Sequence, residues 1–464
     1  MQPRALTDAA PSVFWLDRST RPPERDPLRG DTTADLVVVG AGYTGLWAAL
    51  QSLEDDPSRS VMVVEAGTVG GQASGRNGGF CSASLTHGLP NGVDRFPDEV
   101  DVLQQLGEAN LDGIEATIRR HGIDCSFERV GGLTVATEPW QLDDLDELAK
   151  LDAGHGVQSA VLDAADTRAR IDSPRFIGGL LTSGATEALV DPARLAWGIA
   201  SAVEKLGGTI HEATPMEGIE RSGASLVVRT PHGSVRCGAV VLATNAFPSP
   251  VRKIRRLVAP VYDHVLMTEP LSAGQRTAIG WEGREGLSDS TNLFHYSRLT
   301  DDGRILWGGY DAVYHYGNRI DPSLEQRDVT HHLLAEQFFD VFPQLDGLRF
   351  THRWGGVIDT CTRFAVTFGT AFDGRVSYAV GYTGLGVGAS RFGGRVALDL
   401  LFEPDAETLA LDFVSKGPLP FPPEPVRWLG VSLTRRELER ADRNEGRRGL
   451  WLRLLDRLGL GFDS

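Results

Sequence analysis

The chain has 464 residues, 41% of them hydrophobic and 23% charged, which is enough for two domains with buried cores. Its net charge of −16 argues against nucleic acid as a partner, because contacts with phosphates need clustered Lys and Arg. No stretch approaches the roughly 20 apolar residues of a membrane span and no signal peptide is evident, so we expect a cytoplasmic protein. The four cysteines lie far apart, which predicts reduced thiols and no metal site.

The first strong signal is a predicted strand–helix–strand unit. Apolar runs predict buried strands at 36–39 and 61–64, and a helix is predicted over 46–53. The motif G-x-G-x-x-G at 40–45 joins the first strand to the helix. Its glycines allow a tight turn and let a pyrophosphate approach the helix N-terminus. Glu65 ends the second strand, where it can accept hydrogen bonds from ribose hydroxyls, so the unit predicts a site for NAD or FAD.

A second glycine-rich loop at 70–80 favours FAD over NAD. An NAD-binding domain would pass directly into another helix and strand at this point. The glycines here allow the backbone to lie close to a flat cofactor, and Arg76 and Asn77 can donate hydrogen bonds to it.

The middle of the chain is predicted to leave the nucleotide-binding domain and return to it twice. A helix opened by Asp191 as N-cap and Pro192 marks the first return. Further helices are predicted over 97–121, 140–154 and 323–342, the last with Val329, Leu333, Phe338 and Val341 buried. Strands are predicted over 133–137, 209–212, 225–230, 234–237, 239–242, 261–268, 293–298 and 304–310.

The last predicted unit is again a strand, a glycine turn and a helix. The strand covers 376–380, the turn 381–388, and the helix reaches about Phe402. Its N-terminus would stabilise the negative charge of a reduced flavin. A proline-rich linker at 418–425 leads into an Arg-rich helical tail, which we expect to pack on the body or on a second subunit.

Four motifs, in this order, resemble those of the D-amino-acid oxidase family of flavoproteins. They are G-x-G-x-x-G at 40–45, Ser-Gly-Arg-Asn-Gly-Gly at 74–79, Trp-Gly-Gly at 354–356 and Gly-Tyr-Thr-Gly-Leu-Gly at 381–386. The resemblance runs from about Phe14 to Phe402. It implies an α/β fold with a Rossmann-like FAD-binding domain, an interleaved α+β substrate domain built on a mainly antiparallel sheet, and FAD bound non-covalently.

On this basis we divide the chain into three parts. The predicted FAD-binding domain comprises 30–90, 186–262 and 350–403, the substrate domain 91–185 and 263–349, and a C-terminal helical extension 404–464. The predicted cofactor-binding residues are Gly40, Gly42, Tyr43, Thr44, Gly45, Glu65, Ser74, Gly75, Arg76, Asn77, Gly78, Gly79, Met216, Ala243, Asn245, Gly381, Gly384, Leu385, Gly386 and Val387.

The resemblance implies oxidation of a carbon–nitrogen bond in a small amine or amino acid. A hydride equivalent would reach flavin N5, and the imine would be hydrolysed to a carbonyl and an amine. The nitrogen must be neutral, which a dry aromatic pocket favours. The predicted catalytic residues are His295, Tyr310 and Trp354, and the predicted substrate-binding residues are Tyr296, Arg298 and Arg363; for each, an ordinary structural role stays open. His87 is a weaker candidate, whereas His331 and His332 are expected on the surface.

Two departures from the wider family bear on the electron acceptor and the cofactor. One branch carries a lysine that helps oxygen react, and the matching segment 304–309 has none, so oxygen and another acceptor both stay open. That branch also tethers its flavin to a cysteine, and Cys361 lies in a loosely similar region.

Two other functions also stay open: oxidation of a non-amine such as a hydroxy acid, and a non-catalytic FAD-binding subunit. The oligomeric state stays open as well.

Overall fold

A computed structural model describes residues 2–461 of the chain. The strands are β1 (Thr32–Val39), β2 (Val61–Val64), β3 (Phe80–Ser82), β4 (Gly132–Ala136), β5 (Ser159–Asp163), β6 (Gly178–Thr182), β7 (Glu187–Leu189), β8 (Thr209–His211), β9 (Gly218–Ser222), β10 (Ser225–Thr230), β11 (Gly233–Leu242), β12 (Val258–Thr268), β13 (Gly286–Asp289), β14 (His295–Leu299), β15 (Ile305–Gly309), β16 (Val313–Tyr314), β17 (Phe350–Cys361), β18 (Thr367–Ala371) and β19 (Val376–Val380).

The helices connect and cover these strands. They are α1 (Tyr43–Asp55), α2 (Ala73–Arg76), α3 (Leu89–Arg95), α4 (Val100–His121), α5 (Trp140–Gly154), α6 (Ala164–Arg170), α7 (Pro192–Lys205), α8 (Ile254–Leu257), α9 (Ala273–Ile279), α10 (Asp328–Val341), α11 (Gly386–Phe402), α12 (Asp412–Ser415), α13 (Val426–Asp442) and α14 (Leu450–Arg457). Short 3₁₀ helices cover Gln2–Leu6, Pro322–Glu325, Pro343–Leu345 and Glu407–Ala410.

The first large sheet has a parallel centre in the order β19-β11-β1-β2-β8. Its strands are apolar and buried because helices α1, α7 and α11 cover the sheet, and α1 packs directly on α11. In a parallel sheet the carboxyl ends of the strands meet at one edge. The loops after β1, β2 and β11 therefore come together there, which confirms the predicted Rossmann-like unit.

The second large sheet contains nine strands and is antiparallel except where β13 pairs with β4. Its longest pair is β12 with β17, which are in register from Val258 to Met267 and shift register before Thr268. Helix α10 packs against β12 on one face, around Phe338. The predicted fold class, with a mainly antiparallel sheet in the substrate domain, is confirmed.

The strand pairing differs from the predicted domain boundaries in two places. Residues 258–262 and 350–361 were predicted to belong to the FAD-binding domain, but β12 and β17 both lie in the second sheet. Hydrogen bonding between partners 82 to 103 residues apart in sequence decides this, and no local pattern records it. We propose that the domains divide near 257 and 365, and the other predicted boundaries stay predictions.

Helix α10 is shorter than predicted and turned differently about its axis. The prediction ran over 323–342, whereas Pro322–Glu325 is a separate 3₁₀ turn and the helix begins at Asp328. Val329 was predicted to be buried and is 70% exposed, while His331, expected on the surface, is fully buried. His332 is exposed, as predicted. The buried face follows Thr330, Leu334 and Phe338 because these residues meet β12 and β15.

The C-terminal helices α13 and α14 pack on the body of the molecule. Leu438, Ala441 and Leu452 form a small core with Leu293. The Asp442 carboxylate accepts hydrogen bonds from the backbone and side-chain amides of Asn292, at 2.8 and 2.7 Å. Within residues 2–461, no helix has the length and apolar character needed to span a membrane.

Candidate active site

A cavity of about 1570 Å³ runs between the two large sheets. Its walls come from three parts of the chain that are distant in sequence. The loops at the carboxyl edge of the parallel sheet line one end, strands β12, β13 and β14 line the middle, and residues 419–460 line the other side. A chamber of this size lies above the usual range for a small-molecule site and has room for a dinucleotide together with a substrate.

The predicted dinucleotide motif lines the first end of this cavity. Gly40 has a φ of +105°, and a Cβ there would lie 2.5 Å from the carbonyl oxygen of Ala243, so a side chain is excluded. A Cβ on Gly42 would lie 3.0 Å from Ser74 Oγ, and that hydroxyl accepts a hydrogen bond from the Tyr43 N–H at 2.8 Å. The first two glycine motifs of the sequence therefore contact each other.

Glu65 lies beside this motif. Its two carboxylate oxygens accept hydrogen bonds from the backbone N–H groups of Ala41, at 2.7 Å, and Gly67, at 2.8 Å. Burial raises the pKa of Glu65, and these two donors act in the opposite direction. The carboxylate is thus held at the cavity wall, where ribose hydroxyls would meet it.

The lining at this end fits FAD. Helices α1 and α11 both begin at the cavity, with Gly42 and Leu385 as N-caps, and neither N-cap side chain accepts a hydrogen bond from the first turn. The Tyr43 N–H donates to Ser74 Oγ, and the other N–H groups of these two first turns can receive anionic groups such as a pyrophosphate. Thr244 Oγ1 lines the same wall and is a buried hydroxyl without a hydrogen-bond partner in the described residues. A polar ligand would satisfy it.

The cavity brings together all but four of the predicted cofactor-binding residues. The lining ones are Gly40, Gly42, Tyr43, Thr44, Glu65, Ser74, Arg76, Asn77, Gly78, Met216, Ala243, Asn245, Gly384, Leu385, Gly386 and Val387. Gly45, Gly75, Gly79 and Gly381 do not line it. A Cβ on Gly45 would lie 1.9 Å from the Gly40 carbonyl oxygen, and on Gly79 2.2 Å from that of Val190. These glycines allow close packing behind the wall, and direct cofactor contact stays a prediction for them.

A buried carboxylate supports the glycine turn at 381–386. Asp359 Oδ2 accepts a hydrogen bond from the Gly381 N–H at 2.6 Å, and only 2% of the residue is exposed. Burial raises the pKa of Asp359 to about 7 despite several backbone donors. Cys361 lies next to it and lines the cavity, but its thiol is within hydrogen-bond distance of the Ala365 and Gly381 carbonyl oxygens.

Tyr296 and Asp263 form a polar pair in the middle of the cavity. The Tyr296 hydroxyl donates a hydrogen bond of 2.5 Å to Asp263 Oδ2, and both residues line the cavity. Burial raises the pKa of Asp263 to about 6, although the hydrogen bond from Tyr296 lowers it. Tyr296 was predicted to bind substrate and its position agrees with that role, whereas Asp263 was not predicted.

His295 does not face the cavity, so the prediction of a catalytic role is wrong. The residues of a strand point alternately to opposite faces, and Tyr296 takes the cavity face of β14. The His295 ring lies between Trp307 and Tyr310, with ring centroids 4.7 and 5.2 Å away, and Nδ1 is 2.6 Å from Asp289. Although burial opposes it, the Asp289 charge raises the pKa of His295. Tyr310, also predicted as catalytic, does line the cavity.

Trp354 and Arg298 also have supporting roles instead of the predicted direct ones. The Trp354 indole N–H donates to the Arg76 carbonyl oxygen at 2.8 Å, and the tryptophan does not line the cavity. Arg298 is 2% exposed, and its guanidinium donates to the carbonyl oxygens of Val190, at 2.5 Å, and Gly78, at 3.3 Å. Both side chains hold the second glycine loop in place from behind.

Arg363 was predicted to bind a substrate carboxylate, and its position contradicts this. Its guanidinium donates to the carbonyl oxygens of Ala365, Val366 and Lys416 and lies over the ring of Phe413, 5.2 Å from the centroid. It does not line the cavity. Arg363 therefore anchors the start of the C-terminal extension.

Of the remaining histidines, His87 lines the cavity and His331 does not. Burial lowers the pKa of His87 to about 4, so its ring is neutral at neutral pH. The His331 Nε2 atom is 3.3 Å from the Trp354 carbonyl oxygen, and its ring meets that of His264 edge-on. His331 is thus part of the packing behind β17. Among residues 2–461, no group of three His, Cys, Asp or Glu side chains is arranged to hold a metal.

Several carboxylates that line the cavity were missed in the sequence, among them Asp263 and Glu187. Asp263 interrupts the apolar run of β12. An acidic residue inside a buried strand is a sequence signal, but it is overlooked when only the strand is predicted. Glu187 lines the cavity from β7, with a hydrogen bond to Ser82, and burial raises its pKa to about 7. Glu187 begins β7 directly after a turn at 184–186, and no sequence motif near it predicts a functional carboxylate.

Comparison with known proteins agrees with this geometry. Residues 35–400 match the family model DAO, described as FAD dependent oxidoreductase. The chain is 33% identical over 406 residues to gamma-glutamylputrescine oxidoreductase of Escherichia coli, covering 86% of this chain and 90% of the relative.

Solved structures share the fold. L-proline dehydrogenase from P. horikoshii superposes with a TM-score of 0.68 at 17% identity, covering 83% of this chain and 96% of its own. Glycine oxidase from Geobacillus kaustophilus gives a TM-score of 0.66 at 20% identity, covering 80% and 94%. The predicted family and the predicted cofactor, FAD, are confirmed. The chain belongs to the DAO family of FAD-dependent oxidoreductases.

Proposed function

We propose that the chain oxidises a carbon–nitrogen bond in an amine or amino acid, with Asp263 and Tyr296 as the groups that receive the nitrogen. One observation carries the proposal: the cavity that holds the dinucleotide motif continues into a chamber whose acidic side chains include Asp263 and Glu187. Carboxylates attract an ammonium group and repel a carboxylate. The E. coli relative is named for an amine substrate, which supports the same class.

FAD, when bound, accepts two electrons and a proton equivalent from the substrate carbon, and the protein's part is to position and deprotonate the amine. Above pH 6 Asp263 is largely ionised and attracts the ammonium form. In a chamber lined mostly by apolar atoms, desolvation lowers the pKa of the amine and raises that of Asp263. The two pKa values approach each other, so the proton can pass from the nitrogen to Asp263.

Tyr296 orients the acceptor for this proton. Its hydroxyl donates to Asp263 Oδ2, while Oδ1 accepts the His264 N–H at 2.9 Å and keeps a second lone pair for the substrate nitrogen. Its ring meets Phe80 edge-on, with the centroids 5.7 Å apart, and a Cβ on Gly308 would touch it. The ring therefore has one position available, and the Asp263 carboxylate is held with it.

The proposal extends to the roles of the individual cofactor-binding residues, to the cytoplasmic location and to the electron acceptor. We propose that the sixteen predicted residues that line the cavity hold FAD, and that the four glycines behind them hold the loops together. Oxygen and another acceptor are both compatible with the chamber.

Anaerobic bleaching of the flavin by a panel of amines, amino acids and hydroxy acids tests the proposed reaction. We expect amines to bleach it, with a rate that rises as pH increases through about 6. Asp263→Asn should lower the bleaching rate by about a hundredfold, as expected for loss of a proton acceptor, and should remove this pH dependence. Bleaching by hydroxy acids alone would contradict the proposal.

Tyr296→Phe separates orientation of Asp263 from proton transfer. We expect a loss of about tenfold in rate, roughly 1.4 kcal/mol, because Asp263 remains but is no longer held. The pH dependence should persist in this variant. His332→Gln, on the exposed side of α10, is the matched control and should behave as the wild type.

A further inference from the structure

Helix α13 turns one face toward the cavity and the other toward solvent. The lining residues recur every three or four positions, as one helix face requires: Val426, Arg427, Gly430, Val431, Thr434, Arg435 and Leu438. Trp428, Leu429 and Leu433 lie on the remaining surface and do not line the cavity, with 39, 56 and 40% of each exposed. The helix lies outside residues 35–400, the part that matches the family model.

The cavity face of this helix is apolar in its centre. The Thr434 hydroxyl donates to the Gly430 carbonyl oxygen at 2.9 Å and accepts from the Trp451 indole N–H at 2.9 Å, so no free polar group of Thr434 remains for the cavity. Val431 and Leu438 flank it on the same face. Side chains from other elements line the same chamber, namely Leu293, Tyr310 and Leu455.

The two arginines at the ends of this face are held by the protein. Arg427 is 6% exposed and donates to Asn318 Oδ1, at 2.5 Å, and to the Pro422 carbonyl oxygen. Arg435 forms an ion pair with Asp311, a carboxylate that is only 2% exposed. Both guanidiniums already have hydrogen-bond or ion-pair partners. The apolar side chains between them therefore determine which kind of substrate group this face of the helix favours.

Gly430 shows that the face looks onto open space. A Cβ built at this residue meets no atom within 4 Å, although Gly430 is the fifth residue of a 17-residue helix and lines the cavity. A glycine in a helix interior costs roughly 1 kcal/mol relative to alanine. In α13, glycine at position 430 keeps the chamber wide where the helix lines it.

We propose that α13 and α14 form a distal substrate subsite, which takes an aliphatic or aromatic arm of the amine. This inference rests on the proposed function, since it names the substrate class of the same cavity. The nitrogen is received at Asp263, and the arm extends toward Val431, Thr434 and Leu438. The C-terminal extension is therefore a specificity-determining part of the enzyme, in addition to a packing element.

Gly430→Phe tests the subsite, with primary n-alkylamines from ethylamine to octylamine as probes of the FAD-loaded protein. Binding is followed by the change in the flavin absorbance spectrum, and reduction by anaerobic bleaching. In the wild type we expect Kd to fall by about three- to fourfold for each methylene buried. In Gly430→Phe this gain should stop after the short amines, and Kd for octylamine should rise at least tenfold while that for ethylamine stays unchanged.

Two further variants make the result decisive. Gly430→Ala adds one methyl group and favours the helix, so it should retain the wild-type series and show that substitution at this position is tolerated. Leu433→Phe places the same ring on the exposed face and should also leave the series unchanged. An unchanged series in Gly430→Phe, or an equal effect of Leu433→Phe, would overturn the subsite. If no amine bleaches the flavin but longer amines still bind more tightly, the proposed function fails and the subsite stands.

Discussion

Asp359 illustrates how a single buried carboxyl group shapes the cofactor end of the cavity. It receives the Gly381 N–H at 2.6 Å and so holds the turn that leads into α11. It is almost fully buried, and desolvation therefore moves its pKa up to about 7. A carboxyl whose pKa is higher in the folded than in the unfolded chain stabilises the fold at low pH. That contribution is lost as pH rises through the folded value.

Asp359→Asn should therefore change the pH dependence of stability. We expect the wild-type protein to lose stability relative to this variant between pH 4 and pH 8, by on the order of 4 kcal/mol. The amide keeps a carbonyl oxygen that can accept the Gly381 N–H. Thermal unfolding at a series of pH values measures the effect, with exposed Asp146→Asn as the control. Parallel curves for wild type and Asp359→Asn would contradict this explanation.

At the scale of elements, the orientation of α10 shows why a helix can be recognised while its buried face is not. Apolar residues occur on more than one side of this helix, so the pattern permits several orientations. The aromatic cluster around Phe338, with Trp307 and Phe350 at ring-centroid distances of 5.8 and 5.3 Å, selects one. Val329 is left in solvent and His331 is brought inside as a result.

Substitutions on the two sides of α10 should differ sharply in their cost. We expect Phe338→Ala to lower the free energy of unfolding by about 3–5 kcal/mol, because it leaves a cavity between α10 and the second sheet. Val329→Ser, at a position 70% exposed, should change it by less than about 0.5 kcal/mol. Denaturant unfolding of both variants measures this difference. A larger cost at Val329 would mean that the originally predicted face is the buried one.

At the scale of the whole molecule, the cofactor site joins segments that are far apart in sequence. The cavity has walls from both large sheets and from the C-terminal helices. A ligand that binds only the folded state stabilises it in proportion to the logarithm of its concentration over Kd. FAD is therefore expected to stabilise the entire chain and not one domain alone.

Adding FAD to the flavin-depleted protein should raise its unfolding temperature. At a hundredfold excess over Kd the gain is about 2.7 kcal/mol, which corresponds to roughly 3 °C for a chain of this length. Differential scanning calorimetry measures the shift, and adenosine serves as a control because it lacks the pyrophosphate and the flavin ring. Absence of a shift with FAD would contradict binding between the sheets.

The flavin should also leave the protein on denaturation. Cys361 lines the cavity, but burial raises the pKa of its thiol, and a neutral thiol is a poor nucleophile toward the flavin ring. Acid precipitation is expected to release all the flavin into the supernatant, in the wild type as in Cys361→Ser. Flavin that stays in the wild-type pellet but not in that of Cys361→Ser would reveal a covalent bond.

The sequence by itself determined the family, the cofactor and most of the residues that we propose hold it. Gly40, Gly42, Glu65 and the turn at 381–386 are each recognisable because the chemistry of a bound dinucleotide constrains short contiguous segments. It did not determine the substrate end. Whether His295 or Tyr296 faces the cavity depends on which side of β14 is covered, and strand alternation makes both readings possible.

Only the tertiary structure brought together the residues that we propose meet the substrate. Asp263 is brought to Tyr296 by pairing between distant strands, and α13 reaches the same cavity from the C-terminal end of the chain. The same holds for Arg298, whose carbonyl partners lie more than 100 residues away in sequence. Contacts of this kind arise from long-range packing, which no window of neighbouring residues records.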